Sequence, residues 1–342
     1  MSNTSRHLTY FKVENFKRFE SFEMKDLGQF NLIVGDNNVG KTSVLEALLV
    51  DESPQQFAAN LFQALKIRNL KSSVTFKDLE FFYRLASRLP IEYQREITFE
   101  FTNDNEDKKK LIVAFDISNQ LIQFRNPRIP KLSHQYQLTS KPANAVGFKS
   151  PFISFEKSHD VDITRTYVDH VQNHRSTKSR ILKALKLFIP DIESLDVYTE
   201  IDSDNYPYLK VTRSGSDFNL PLALFGEGSI KIAKLVMELV VQSGKRLMID
   251  EVDAGIHYSR FKEFWKVILK AAQENDVQLF MTTHSKECMQ YFVEALSEPD
   301  MKDLQRDARS ISLVELPDKS VKAYTYFFEH LEANLALGSE VR

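Results

Sequence analysis

The chain has 342 residues, 42% of them hydrophobic and 27% charged, with ten glycines, eleven prolines and a formal net charge of −2. This is length enough for one large core or two smaller ones, with no long linker, and the near-neutral balance excludes a general polyanion binder while leaving room for a local basic patch. One cysteine, Cys288, excludes an internal disulfide framework, no apolar run approaches the roughly 20 residues that cross a bilayer, and MSNTSRHLTY has no signal-peptide core, so a cytoplasmic protein without membrane contact is expected.

In chain order, Leu8–Val13 alternates as a strand, Ser21–Met24 suggests its hairpin partner, and Phe30–Val34 is an apolar third strand. The third strand runs into Gly35-Asp36-Asn37-Asn38-Val39-Gly40-Lys41-Thr42, and a helical stretch follows. The spacing is G-x-x-x-x-G-K-T, the P-loop, whose glycines let backbone N–H groups turn inward onto nucleotide phosphates. Lys41 is expected to reach the outer phosphates and Thr42 to ligate Mg²⁺, with Asn37, Asn38, Gly40 and Ser43 completing the nucleotide-binding set. The following helix would point its positive end at the same anion.

The phrase VENFKRFESFEM, just ahead of GDNNVGKTSVLEAL, resembles the opening of the ABC-like ATPases of the RecF, SMC and OLD group. There an "nFksf" hairpin precedes a G-x-N-x-x-GK-[ST] loop. Asn37, Asn38 and Leu45-Glu46-Ala47-Leu48 carry the fit. The resemblance implies an α/β P-loop NTPase with an ABC-like mixed sheet, an N-terminal antiparallel β lobe and a helical and β insertion. It also implies ATP and Mg²⁺ as cofactors and a homodimer, or higher homo-oligomer, closed around ATP. The expected division is 1–51 for the β lobe and P-loop, 52–215 for the insertion, and 216–342 for the C-terminal ATPase lobe.

Residues 54–89 are expected to be helical, with Pro90 as a stop. REITFEFTN and LIVAFDI predict a meander turning at Asp104–Lys108, residues 125–150 read as loop, and PFISF as a short strand. Residues 163–188 read as one helix ended by Pro190. Its Arg165, His170, His174, Arg175, Lys178, Arg180, Lys183 and Lys186 form either a surface for nucleic-acid phosphates or an ordinary solvated face. A hairpin is expected over 194–201 and 208–213, and Glu200, Asp202 and Asp204 in its turn read as turn chemistry rather than a metal cluster. Gln123 and Gln172 are candidates for a Q-loop glutamine, with nothing to choose between them.

Motifs return after residue 220. Phe225-Gly226-Glu227-Gly228-Ser229-Ile230-Lys231 opens a helix. It is either a glycine turn with Ser229 as a helix cap or, by likeness to the same group, a signature loop of G-[DE]-G-x-x-[RK] form. The second reading implies that Gly228 and Ser229 contact the γ-phosphate of a nucleotide held by another subunit. Lys231 stands where arginine is frequent, and a lysine lacks the bidentate fork. Arg246–Glu251 is an apolar strand ending in two acids, the Walker B pattern, so Asp250 is expected to support Mg²⁺ and Glu251 to polarise the attacking water. The bland alternative is two acids on a solvent-facing strand end. Asp253 falls at the D-loop position of the family, and His257 is expected to be structural. A further apolar strand ends in Thr283-His284-Ser285, which implies a switch histidine at His284. Ile311–Glu315 and Val321–Phe327 suggest a closing hairpin, and FFEHLEANLALGSEVR a last helix resembling the OLD-like ending.

OLD proteins carry a TOPRIM nuclease domain after the ATPase part, and none is expected here. The leading expectation is an ATPase that senses or regulates for a separate effector, a nuclease or toxin, in bacterial anti-phage defence. A RecF- or SMC-like repair ATPase on DNA, and a nucleotide-gated scaffold with little hydrolysis, are the alternatives.

Overall fold

The computed structural model describes residues 7–51, 53, 56–57, 59–60, 96–116, 121–125, 133–137, 151–154, 160–186, 189–198, 208–215 and 219–337. In chain order these form β1 (Leu8–Phe16), β2 (Phe19–Met24), β3 (Phe30–Gly35), α1 (Lys41–Ala47), β4 (Glu96–Asn103), β5 (Lys108–Asp116), β6 (Leu121–Arg125), β7 (Ser133–Gln137) and β8 (Phe152–Ser154). Then come α2 (Asp160–His170), α3 (Arg175–Lys186), β9 (Ile192–Tyr198), β10 (Tyr208–Arg213), β11 (Leu220–Pro221), α4 (Glu227–Val241) and β12 (Arg246–Asp250). The last are α5 (Phe261–Glu274), β13 (Gln278–Thr282), α6 (Lys286–Leu296), β14 (Ala308–Glu315), β15 (Val321–Phe327) and α7 (Phe328–Ala336).

The central sheet has the order β15-β14-β3-β13-β12-β8. All neighbours are parallel except the β14–β15 hairpin. The inner strands β3, β13 and β12 are largely apolar on both faces because both faces are covered. Phe30, Leu32 and Val34 of β3, Leu279 and Met281 of β13, and Leu247 and Ile249 of β12 join the core formed with the helices α2 to α7. Ile33, Phe280 and Met248, one residue out of step, join the opposite core with α1 and the β lobe. The lobe is a six-stranded antiparallel sheet, β2-β1-β4-β5-β6-β7. Phe99 of β4 packs there against the rings of Phe11, Phe16 and Phe57. β4 pairs directly with β1, so this sheet runs across residue 51.

Two buried amides fix the lobe to the sheet. Gln278 accepts from the Leu8 N–H and donates to the carbonyls of Leu8 and Gly28, each at 2.8 Å. Asn31, fully buried, donates to Gly28 O at 2.7 Å and to Leu279 O at 3.0 Å. Side chains that satisfy backbone groups in this way specify one docking geometry.

Two elements differ from expectation. The stretch expected as one helix over 163–188 holds two, α2 and α3: the turn at 171–174 is closed by His174 N–H to Val171 O at 2.9 Å. The break lets Ile163 and Tyr167 on one segment and Ile181 and Leu185 on the next enter the same core. The stretch read as loop contains β7, paired antiparallel with β6. β4 pairs antiparallel with β5 and β9 with β10, as expected. The expected helix of 54–89 lies almost wholly outside the described residues, and Glu200, Asp202, Asp204 and the tail from 338 lie outside them entirely.

Candidate functional site

β3, β13 and β12 are adjacent parallel strands, so their C-terminal ends open at one edge. In register, Ile33 faces Thr282, and Ile249 faces Met281. Gly35, Thr283 and Asp250 therefore follow as neighbouring strand ends, the usual place for ligands in a parallel α/β sheet.

The first end carries the P-loop. Gly35 and Gly40 have φ of +146° and +111°, and Asn38 has +64°. These are left-handed or strongly twisted conformations, and they let successive peptides turn within a short arc. Asp36, Asn37 and Asn38 are exposed, while Lys41, Thr42 and Ser43 are half-buried at the start of α1. The Lys41 ammonium donates to Gly35 O at 2.7 Å and Asp36 O at 3.0 Å, which holds it across the loop. Arg18, in the β1–β2 turn, donates to Asn38 O and to Glu315, so the loop is gripped from the lobe side. Beside it Lys17 forms a buried ion pair with Glu46 of α1. The NFKRF phrase that carried the family resemblance is thus a clamp on the P-loop, a role its residues did not announce.

The second end carries the acids. Asp250 accepts from the Thr282 hydroxyl at 2.6 Å through Oδ1. The same Thr282 Oγ1 accepts from the Glu251 N–H at 2.9 Å. Glu251 sits at φ +51°. Asp253 accepts from the Thr283 hydroxyl at 2.7 Å, and Thr283 N–H donates to Ile33 O at 3.2 Å. His284, next along, is exposed. α1 packs on β12 and β13, so Thr42 and Asp250 are brought to one side of the sheet. A threonine hydroxyl and a carboxylate oxygen are the hard donors that suit Mg²⁺. Among the described residues no cluster of three His, Cys, Asp or Glu side chains offers an alternative metal site.

The third component is the start of α4. Its N-cap is Gly226, at φ 85° and ψ 161°. Ser229 is therefore not the cap. Its hydroxyl donates to Phe225 O at 2.9 Å from a buried position. The first-turn N–H groups of Glu227 and Gly228 have no helical acceptor. Lys231 is buried and donates to Ala254 O, and a Cβ on Gly228 would lie 3.7 Å from Gly255 O. The turn at 225–231 and the segment 253–255 are thus one packed unit. Burial pushes the Lys231 ammonium down to about 7, against the pull of Asp253, Cys288 and Glu251. His257 caps a short turn, its Nδ1 accepting from the Ser259 N–H at 3.4 Å, a structural role as expected.

A family model described as "AAA domain, putative AbiEii toxin, Type IV TA system" matches residues 30–289, from the P-loop strand past the histidine. The chain belongs to this AAA ATPase family. It is 24% identical over 371 residues to a Helicobacter pylori (strain ATCC 700392 / 26695) protein named "ATP/GTP phosphatase", covering 94% of this chain and 96% of that one. Its fold is that of an SMC head domain from Thermotoga maritima, with a TM-score of 0.52 at 11% identity over 94% of this chain and 99% of that one. An SMC head bound to the C-winged helix domain of ScpA gives 0.53 at 13% identity, over 96% and 99%. The fold of this AAA ATPase is accordingly ABC-ATPase-like, as the P-loop phrase implied.

The remaining expectations fall away from this edge. Gln123 is in β6 and Gln172 in the turn between α2 and α3. On α3, Lys178 pairs with Asp196 at 2.5 Å and Lys183 with Glu274 at 2.7 Å, and Arg180 donates to the Glu274 carbonyl at 3.2 Å. Among the described residues no helix is long and apolar enough to cross a membrane.

Proposed function

We propose that this ATPase binds Mg-ATP with Asn37, Asn38, Gly40, Lys41, Thr42 and Ser43, and that two copies close around two nucleotides. Thr42 and Asp250 hold the Mg²⁺. Glu251 polarises the attacking water, and His284 contacts the γ-phosphate. The turn at Gly228-Ser229, with Asp253, completes the site of the other copy, as the family resemblance implies. The lobe of each copy comprises β1, β2 and β4 to β7, across the expected boundary near 51. The observation that carries this reading is the convergence of Gly35, Asp250 and Thr283 at adjacent strand ends. On this reading a phosphate cradle, a metal-binding carboxylate and a water-activating carboxylate share one opening, the parts that phosphoryl transfer needs.

The biological reading is a regulatory or sensing ATPase that acts with a separate nuclease or toxin in anti-phage defence. The toxin–antitoxin wording of the family description supports it. The name of the H. pylori relative supports GTP as a second substrate to test beside ATP. Pairing of Lys178 with Asp196 and of Lys183 with Glu274 weighs against the rival reading of α3 as a nucleic-acid surface.

Sedimentation and turnover of three proteins test the core of the proposal. Wild type should hydrolyse ATP. Lys41→Ala should bind none. Glu251→Gln should bind ATP, cease hydrolysis and run as a dimer only with ATP. A Glu251→Gln protein that turns over normally and keeps the same mass with and without ATP rejects it.

A further inference from the structure

We propose that Thr282 is a positioning residue for ATP hydrolysis, its hydroxyl setting both Walker B acids at once. The inference rests on the reading that Asp250 and Glu251 perform the chemistry.

The hydroxyl has one proton and its bonds have fixed polarity. Asp250 can only accept in its ionised form, so the Thr282 proton lies toward Asp250 Oδ1, at 2.6 Å. The Glu251 N–H can only donate, so it takes the lone pair of the same oxygen, at 2.9 Å. Thr282 is 1% exposed, which leaves no room for water to take over either bond. The two recipients are the two residues whose placement matters most. Asp250 keeps Oδ2 for an ion. Glu251 has a backbone conformation uncommon for a residue with a Cβ, φ +51°, and the bond to Thr282 falls on its own N–H. Its direction, and hence that of its carboxylate, is tied to the end of β13.

Thr283 repeats the device one residue later. It is fully buried, donates to Asp253 Oδ1 at 2.7 Å and accepts from Ser285 N–H at 3.0 Å. Its own N–H reaches Ile33 on the strand that feeds the P-loop. Two consecutive hydroxyls thus register Asp250, Glu251 and Asp253 against the P-loop strand. No feature of the P-loop or of the acidic strand end requires threonine here. A valine would fill the same volume and remove both the acceptor for Glu251 N–H and the donor to Asp250 Oδ1.

The test compares Thr282→Val and Thr282→Ser with wild type in steady-state ATP hydrolysis, with a fluorescent ATP analogue reporting affinity. Thr282→Val should lower kcat about 10- to 100-fold, the usual effect of removing an outer hydrogen-bond partner. KM and analogue affinity should stay within about threefold. Thr282→Ser keeps the hydroxyl and should recover kcat to within about threefold of wild type. Where the valine variant is not recovered folded, Thr282→Ala carries the same expectation. A valine or alanine variant within about twofold of wild type, or a serine variant as slow as valine, overturns the proposal. Glu251→Gln is run in parallel. If it hydrolyses ATP normally, the underlying reading of the acids fails. If it is inactive while Thr282→Val is active, only the positioning role fails.

Discussion

The Lys17 ammonium and the Glu46 carboxylate form an ion pair in the interior, their side chains 8% and 0% exposed. One lies in the β1–β2 turn and the other on the P-loop helix, so the pair bolts the lobe to the nucleotide loop. Two charges taken out of water are costly unless each keeps the other. Lys17→Met or Glu46→Leu alone should lower unfolding free energy by about 3–5 kcal/mol. The double variant should recover most of that loss. A double variant as unstable as the sum of the singles, in urea titrations, would contradict the pairing.

Gly40 is the point where the P-loop packs most closely on the β1–β2 turn. Its φ is +111°, and a Cβ there would lie 3.0 Å from Phe19 Cζ and 3.1 Å from Arg18 Cδ. Gly40→Ala should cost about 1–3 kcal/mol of stability through backbone strain. It should also weaken ATP-analogue binding, because the loop relaxes by moving off Arg18. Unchanged affinity and melting temperature would show that the loop has slack these distances do not allow.

Lys231 sets a pH dependence of definite sign. Burial lowers its pKa from 10.5 to about 7 in the folded protein. The unfolded chain therefore binds the proton more readily between those values, and stability from this group rises with pH from about 7 toward 10.5 and is flat below. In nucleotide-free protein, Lys231→Met should gain relative to wild type as pH falls from 9 to 7. The slope of the difference should approach about 1.4 kcal/mol per unit. Parallel stability curves for the two proteins would rule this out.

Leu224 and Tyr258 are 69% and 58% exposed. They flank the two segments that meet where Gly228 faces Gly255. If a second copy docks there with ATP, these apolar side chains are covered. Leu224→Asp with Tyr258→Asp should weaken the ATP-dependent dimer tenfold or more, which is about 1.4 kcal/mol. Analogue binding should persist. A dimer of unchanged strength in sedimentation would place the contact elsewhere.

The sequence disclosed what is local and periodic. Phe30–Val34, Arg246–Ile249 and Gln278–Met281 are apolar runs that only a sheet covered on both faces explains, and Gly35–Thr42 has a fixed spacing. β7 escaped notice because SHQYQ has no apolar alternation to mark it. The break at 171–174 has no proline or glycine; it exists because Tyr167 and Ile181 must reach one core. Least legible were the partners of the acids. The Thr282–Asp250 bond spans 32 residues and the Lys17–Glu46 pair 29, and neither distance is written into a motif. Those contacts depend on which strands neighbour one another, which composition and spacing leave open.

Asn31, on the strand that feeds the P-loop, bonds to a carbonyl 248 residues further along. Both neighbours of that strand, β13 and β14, come from the last quarter of the chain. A ribosome adding 5–20 residues per second needs about 10–50 seconds to supply them after Asn31 emerges. During that interval the Gly35–Thr42 segment exists without the strands that shape it. The nascent ATPase therefore cannot engage nucleotide in its final geometry until synthesis is nearly done, and messages cut short upstream of β13 yield protein with a P-loop sequence and no ATPase site.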